Sequence, residues 1–350
     1  MKNYDIEIDP ILEEKIYETS TYLETTLEED FKPHLTTNGK LYKLLLRLHQ
    51  YKRAEKVFKC GNYTAWAVPT DFSEKPFLVY ASFCKDRLCA LCSWRRSLKI
   101  FSQVSRVMDE IQGDYRYIFV TLTLRNVPSG ELVNALDHLS KSFNLFMTYS
   151  KCRKAFKGYF KAVEITRNKT VAAYEWHPHL HIIFAVDKNN YFSGKYYIRY
   201  NELRELWQRA LGVDYAPQVS ISAVKTNKDD PVFKDADGNV DYKKAICEVS
   251  KYALKPGDLF SGAVETQCRS VLTLTEALKG RRLCSFGGIL KETARKLKLE
   301  DLEEGDLTDQ DKLRSDVRYM VINCSWQVGV GFTFTRDKNI YTNLKRRKPK

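Results

Sequence analysis

Two runs of strand-forming residues lie so close together that they constrain the fold before anything else does. KGYFKAVEIT and HPHLHIIFAV predict strands at 158–166 and 178–186. The segment between them is too short for the helical crossover that parallel neighbours require. An antiparallel pair is therefore expected at the centre of the chain. YRYIFVTLTLRN (Tyr115 to Asn126) and QVSISAV read as further strands, rich in β-branched and aromatic residues. SGELVNALDHLSKSFNLFMTYS, YNELRELWQRAL and DYKKAICEVSKYALK read as helices, the last ending at Pro256-Gly257. Strands and helices interleave, so the fold class expected is α/β of the α+β kind, a largely antiparallel central sheet with helices.

The flanks are less regular. The acidic opening, Ile6 to Glu29, has loose helical periodicity that ends before Pro33. LYKLLLRLHQYKRAEKVF (Leu41 to Phe58) reads as one basic amphipathic helix. Strand-like YTAWAV and FLVYASF follow, then the helix SWRRSLKIFSQVSRVMDEI with Ser93 as its N-cap. Past Phe260, EALKGRRLCSFGGILKETARKLKLED reads as helical with a Gly-Gly break, and RYMVINCSWQVGVGFTFTRDKNIYTNL as strand-rich. Four segments are expected: a helical region over 1–58, a Cys-rich segment and helix over 59–112, a core over 113–257, and a C-terminal α/β extension over 258–350.

Charge narrows the partners. The formal net charge is +13, yet the first 30 residues carry −8, which leaves +21 for the rest. Such an excess favours a polyanion, nucleic acid first. Arg95 and Arg96, in SWRRSLK, are the DNA-contacting candidates on that helix. MKNYDIEIDP has neither a basic n-region nor an apolar h-region, and no apolar run approaches the roughly 20 residues of a membrane span. A bacterial cytoplasmic protein without a membrane partner is the expectation, and nine cysteines without a secretion signal suit a reducing compartment.

EWHPHLHIIFAV places His177, His179 and His181 at alternating positions. Residues i and i+2 of a strand share a face, so His179 and His181 can converge on one ion while Leu180 and Ile182 enter the core. His177 has the same parity, although Pro178 obscures its direction. Histidine is the commonest metal ligand. Glu164, on the expected partner strand, is a candidate further ligand and Glu175 its local competitor; an exposed surface carboxylate remains the alternative. In CEVSKYALKP, Glu248, Tyr252 and Lys255 fall at i, i+4 and i+7 and share a helix face. Such a face is either solvated or reactive. Tyrosine, with a free pKa of about 10, needs a polarised electrophile to act as a nucleophile. Cys60, Cys84, Cys89 and Cys92 offer four thiolates, the last three spaced C-x4-C-x2-C, and are either a structural Zn²⁺ site or buried free thiols. Cys152, Cys247, Cys268, Cys284 and Cys324 are isolated and read as core residues.

FVTLTLRN, HPHLHIIFAV and EVSKYALK, in that order and at these separations, resemble the three motifs of rolling-circle replication initiators of the HUH endonuclease superfamily. The match is to the Rep proteins of Gram-positive plasmids that use one tyrosine with a companion glutamate. FCKDRLCALCSWRRSLKI is similar to that family's Cys-rich stretch, with Ala90 where a proline is expected. The resemblance covers about Cys60 to Pro256. It implies an RRM-like or ferredoxin-like nuclease core in which His179 and His181 hold Mg²⁺ or Mn²⁺, with Glu164 or His177 as a further ligand. It implies attack by Tyr252 to give a 5′-phosphotyrosine, Glu248 as general base for water at termination, and Lys255 as the phosphate-stabilising charge. The implied partners are single- and double-stranded origin DNA, a host helicase and a host DNA polymerase, and the implied state is monomer or dimer. Two other readings remain open on the sequence: a relaxase- or transposase-like nickase, and a non-catalytic zinc-dependent DNA-binding protein.

Overall fold

The computed structural model describes residues 10–167, 175–194, 196–225, 240–250 and 256–336. In chain order the helices are α1 (Pro10–Thr26), α2 (Lys32–Arg47), α3 (Tyr51–Phe58), α4 (Ala90–Ile111), α5 (Leu132–Thr148), α6 (Ser150–Ala155), α7 (Tyr200–Leu211), α8 (Tyr242–Ser250), α9 (Pro256–Leu259), α10 (Val264–Leu278) and α11 (Ile289–Lys296). The strands are β1 (Tyr63–Pro69), β2 (Phe77–Ala81), β3 (Tyr115–Thr123), β4 (Val127–Pro128), β5 (Phe156–Arg167), β6 (Glu175–Asp187), β7 (Val219–Lys225), β8 (Val240–Asp241), β9 (Cys284–Gly288), β10 (Tyr319–Gln327) and β11 (Gly331–Arg336). The expected mixed α/β class with antiparallel sheets is what the chain adopts.

Two compact units divide it, Met1–Arg95 with Asp306–Lys350, and Arg96–Gly305. The first is built on an antiparallel sheet in the order β11-β10-β1-β2. Its core joins Leu23, Leu27 and Phe31 to Trp66, Leu78, Leu91 and Ile322, with Cys60, Cys89 and Cys92 among them. A π-helical turn, Leu27–Phe31, links α1 to α2. The helical path therefore passes Pro33 instead of ending before it. Pro33 stands just past that π-helical turn, in the first turn of α2, and donates no N–H to the turn before it. The single helix expected over Leu41–Phe58 is two. The Leu48 N–H closes α2 on the Leu44 carbonyl, and His49 takes the left-handed conformation (φ 55°) before α3 starts.

The second unit is organised by a sheet in the order β8-β7-β3-β6-β5-β9, with β4 on β6. Every pairing is antiparallel except β7 with β8. The expected β5–β6 pair is present. Both faces are covered. Ile118, Val120, Leu122, Leu180, Ile182 and Phe184 pack with Phe143 and Phe146 of α5 and Leu203 and Trp207 of α7. Tyr117, Phe119, Phe160, Ala162, Ile183 and Ala185 pack with Ile100 and Val104 of α4, Ala245, Ile246 and Val249 of α8, and Leu290 of α11. Each fully buried side chain of this size contributes roughly 1.5–3 kcal/mol.

Residues 284–288 form the edge strand β9, where a break in a helix was expected. A Cβ at Gly287 would lie 2.2 Å from the Tyr159 ring, and one at Gly288 (φ 55°) 2.3 Å from the Lys157 carbonyl oxygen. The Gly-Gly pair lets β9 approach β5 as a ladder neighbour.

Candidate metal centres and the adjoining cleft

Glu164, His179 and His181 stand on facing positions of two central strands. The register sets Glu164 directly across from His179, and β3 brings Thr121 across from His181 on the other side. The Nε2 of His181 lies 2.7 Å, and that of His179 3.4 Å, from the same Glu164 carboxylate oxygen. All three ligand atoms fall within 4.8 Å of one another. Glu164 is 3% exposed, His179 8% and His181 9%. A carboxylate buried this far needs a positive partner.

The other ring nitrogens are engaged away from the carboxylate. The Nδ1 of His179 donates to the His177 carbonyl at 3.1 Å, which leaves the Nε2 lone pair facing Glu164. The Nδ1 of His181 lies 3.2 Å from the Thr121 hydroxyl, and its ring stacks on Phe119 at 5.5 Å. Two imidazole nitrogens and a carboxylate oxygen spaced near the roughly 3 Å expected between ligands about 2.1 Å from one ion fit a divalent cation. Among the described residues, His177 and Glu175 lie outside this group. Burial, reinforced by neighbouring His179, holds the His177 imidazole below its usual pKa. Glu175 accepts a hydrogen bond from the Asn126 amide at 3.3 Å instead.

The triad occupies the sheet face that α8 covers through Ala245, Ile246 and Val249. Glu248, on that helix, is half-buried. Tyr252 and Lys255 lie outside the described residues.

Next to the histidines, a cleft of about 810 Å³ is lined by Thr123 to Asn126, Thr166, Arg167, Glu175, His177 and Tyr215 to Gln218. The Arg125 guanidinium sits 4.0 Å over the Tyr215 ring, and the Arg125 backbone N–H donates to the Tyr215 hydroxyl at 3.1 Å. Arg167 donates to the Ser261 carbonyl at 3.2 Å. Sequence reasoning missed Thr121 as a histidine partner, and Arg125 and Tyr215 altogether. Strand parity alone would have placed Thr121 on the histidine face once the pairing of β3 with β6 was known.

In the other unit, Cys60, Cys84, Cys89 and Cys92 converge, their sulfurs within 4.8 Å of one another and none in a disulfide. Sulfur separations are 3.5 Å for Cys60–Cys92 and Cys60–Cys89 and 3.8 Å for Cys84–Cys92. Four sulfurs about 2.3 Å from a tetrahedral zinc would stand about 3.8 Å apart, so the set fits that ion. Backbone N–H groups of Cys84 and Cys92 point at Cys60 and Cys89 sulfurs at 3.4 Å, and the Asn38 amide donates to Cys89 at 3.1 Å. Asn38 also accepts from the Ala90 N–H at 2.8 Å, which ties α2 to the cysteine segment. Crowding by Cys84, Cys89 and Cys92, with burial, pushes the Cys60 thiol up. Burial would raise Cys89 too, but hydrogen bonds from its three neighbours hold it low, as for a thiolate. Gly61 (φ 77°) turns the chain after Cys60 where a Cβ would lie 2.3 Å from Leu91.

Of the isolated cysteines, Cys152, Cys284 and Cys324 are buried as expected, whereas Cys247 is exposed and Cys268 half-buried. Arg95 and Arg96 are each 5% exposed. Arg95 binds the Leu307 carbonyl at 2.8 Å and Asp309 at 2.9 Å. Its guanidinium is tied down inside the protein, which corrects the expectation that it contacts DNA. Arg96, buried to the same extent, is corrected on its burial alone. No helix among the described residues is long and apolar enough to cross a membrane.

No solved structure matches the chain. A "Protein rep" of a Bacillus species is 36% identical over 286 residues, 80% of this chain and 91% of that relative. One from Bacillus amyloliquefaciens is 37% identical over 263 residues, 73% of this chain and 76% of the relative. One from Streptococcus pneumoniae serotype 2 is 34% identical over 293 residues, 81% and 84% respectively. A family model described as Replication protein spans residues 75–330, which takes in Glu164, His179 and His181 and three of the four clustered cysteines, Cys84, Cys89 and Cys92. The chain belongs to the Rep family of replication proteins, the family its ordered motifs resemble.

Proposed function

We propose that this Rep protein initiates rolling-circle replication by nicking one strand of its origin, with Glu164, His179 and His181 holding Mg²⁺ or Mn²⁺. The observation that carries the reading is the convergence of two Nε2 atoms on one buried carboxylate, on the sheet face that the Glu248 helix covers. When bound, the divalent cation supplies charge neutralisation and orientation at the scissile phosphate. His177 and Thr121 fix the ligand imidazoles through their Nδ1 atoms.

In this reading the Tyr252 oxygen attacks phosphorus and loses its proton. The bond from phosphorus to the 3′ oxygen breaks, that oxygen takes up a proton, and the 5′ phosphate remains on the tyrosine. Lys255, three residues on, lowers the cost of charge building on the phosphate. Glu248, one helical turn before Tyr252, takes the proton from water at termination, so the product strand is released by hydrolysis or joined. The free 3′-OH is the primer for a host polymerase, and a host helicase opens the duplex ahead of it. The four-cysteine cluster holds Zn²⁺ as a structural element. The nuclease is read as the 113–257 core with flanking segments that recognise the origin.

The test is the chemistry of the cut ends. Single-stranded DNA from the protein's own replicon is incubated with the full chain and Mn²⁺, and the upstream fragment is offered to a DNA polymerase. Extension of that fragment, lost when the cation is withheld, is the expected result. A 3′-phosphate end, which no polymerase extends, would rule out tyrosine attack in this direction.

A further inference from the structure

The cleft beside the triad has a construction that the nicking reading does not use. Its wall begins at Thr123 and continues through Leu124, Arg125 and Asn126, immediately past the end of β3. Opposite stands the segment Tyr215–Gln218, which leads into β7. His177 lines the cleft, and its ring centre is 5.1 Å from that of His179, so the space lies next to the candidate cation ligands. At about 810 Å³ it is within the ~300–1,000 Å³ typical of small-ligand clefts.

Two pairs among its polar groups are joined to one another. Arg125 is exposed, yet its guanidinium is held 4.0 Å over Tyr215, and the Tyr215 hydroxyl is fixed by the Arg125 backbone N–H. A guanidinium laid on an aromatic ring makes a cationic, planar platform, the kind on which unpaired bases stack. The second pair is Asn126 and Glu175, joined amide to carboxylate at 3.3 Å. An ionised carboxylate only accepts hydrogen bonds. Glu175 would repel a phosphate and welcomes an exocyclic amine, which adenine, cytosine and guanine carry and thymine lacks.

We propose that this cleft is a base-reading subsite for one unpaired nucleotide next to the scissile phosphate, with the Arg125–Tyr215 pair as stacking platform and Glu175 selecting an amine-bearing base. The inference rests on the proposed nicking role for its placement beside the phosphate, but it makes a separate claim about binding.

The probes are fluorescein-labelled dA12, dC12 and dT12, titrated with the full chain without added divalent cation and read by anisotropy. Wild type binds dA12 and dC12 roughly ten times more tightly than dT12, the discrimination of one good base contact. Glu175→Gln brings the three within about twofold. Arg125→Ala and Tyr215→Ala each weaken all three at least about fivefold, the lower end of a lost base stack. The double variant is little worse than either, because one platform is removed once. Arg125→Lys keeps the charge and loses the plane, so it behaves like Arg125→Ala. Matching melting curves show that each variant is folded.

Equal wild-type affinity for the three probes overturns base selection by Glu175. Arg125→Lys binding as wild type overturns the platform, leaving a simple charge. Nicking with Mn²⁺ is measured on the same preparations. Nicking without these binding effects removes the subsite alone. The binding effects in a protein that never nicks remove the proposed function and leave the subsite standing.

Discussion

The four-cysteine cluster and the Glu164–His179–His181 cluster bring ligands together in opposite ways. The first is closed: sulfur ligands, three of them fully buried, further held by N–H donors from Asn38 and the backbone. The second offers three mixed ligands beside a polar cleft that neighbouring His177 lines. A filled tetrahedral set has no room for substrate, whereas three protein ligands leave coordination positions to fill. In the proposed reading, the contrast assigns the cysteine set to the fold of its unit and the Glu164–His179–His181 set to the reaction.

The largest effect separates them on stability. Cys92→Ser, or prolonged chelation, should unfold the first unit, since apparent binding of a structural zinc is worth about 10–16 kcal/mol at neutral pH. Metal analysis should show one zinc lost per chain, and circular dichroism a collapsed melting transition. An unchanged melt after zinc loss breaks the comparison. His181→Ala should do the reverse: nicking falls about 10²–10³-fold while the melt moves far less than for Cys92→Ser. Thr121→Val keeps the shape and removes the oxygen facing the His181 Nδ1. It should raise the Mn²⁺ concentration needed for half-maximal nicking by about 10–100-fold. Asn38→Ala is the smallest change. It strips the Ala90 N–H and the Cys89 sulfur of a partner and should cost about 1–2 kcal/mol in urea unfolding, with the Mn²⁺ requirement for nicking untouched.

How much of this was legible in the sequence depended on sequence distance. The β5–β6 pair could be read because a short gap forbids a crossover, and with it came the facing of Glu164 and His179. Alternation alone aligned His179 with His181. Thr121 needed the register of β3 against β6, sixty residues away, which no local pattern encodes. The pairing of β1 with β10 joins residues 250 or more apart and was invisible for the same reason. Glycine misled at 287–288, since the same residue that interrupts a helix also permits a close ladder, and only the Tyr159 ring packed against it decides. Arg95 and Arg96 looked like surface charge because composition does not tell a solvated guanidinium from a buried one, such as that of Arg95 against Leu307 and Asp309.

The most direct test of the central claim is a covalent-adduct assay on labelled single-stranded DNA from the protein's own replicon. Wild type, Tyr252→Phe and His179→Ala are compared with Mn²⁺ and with the cation withheld. The account predicts an adduct that survives denaturation in wild type with Mn²⁺ only, absent from Tyr252→Phe and strongly reduced in His179→Ala. Equal adducts in wild type and Tyr252→Phe would assign the chemistry to another residue and contradict it.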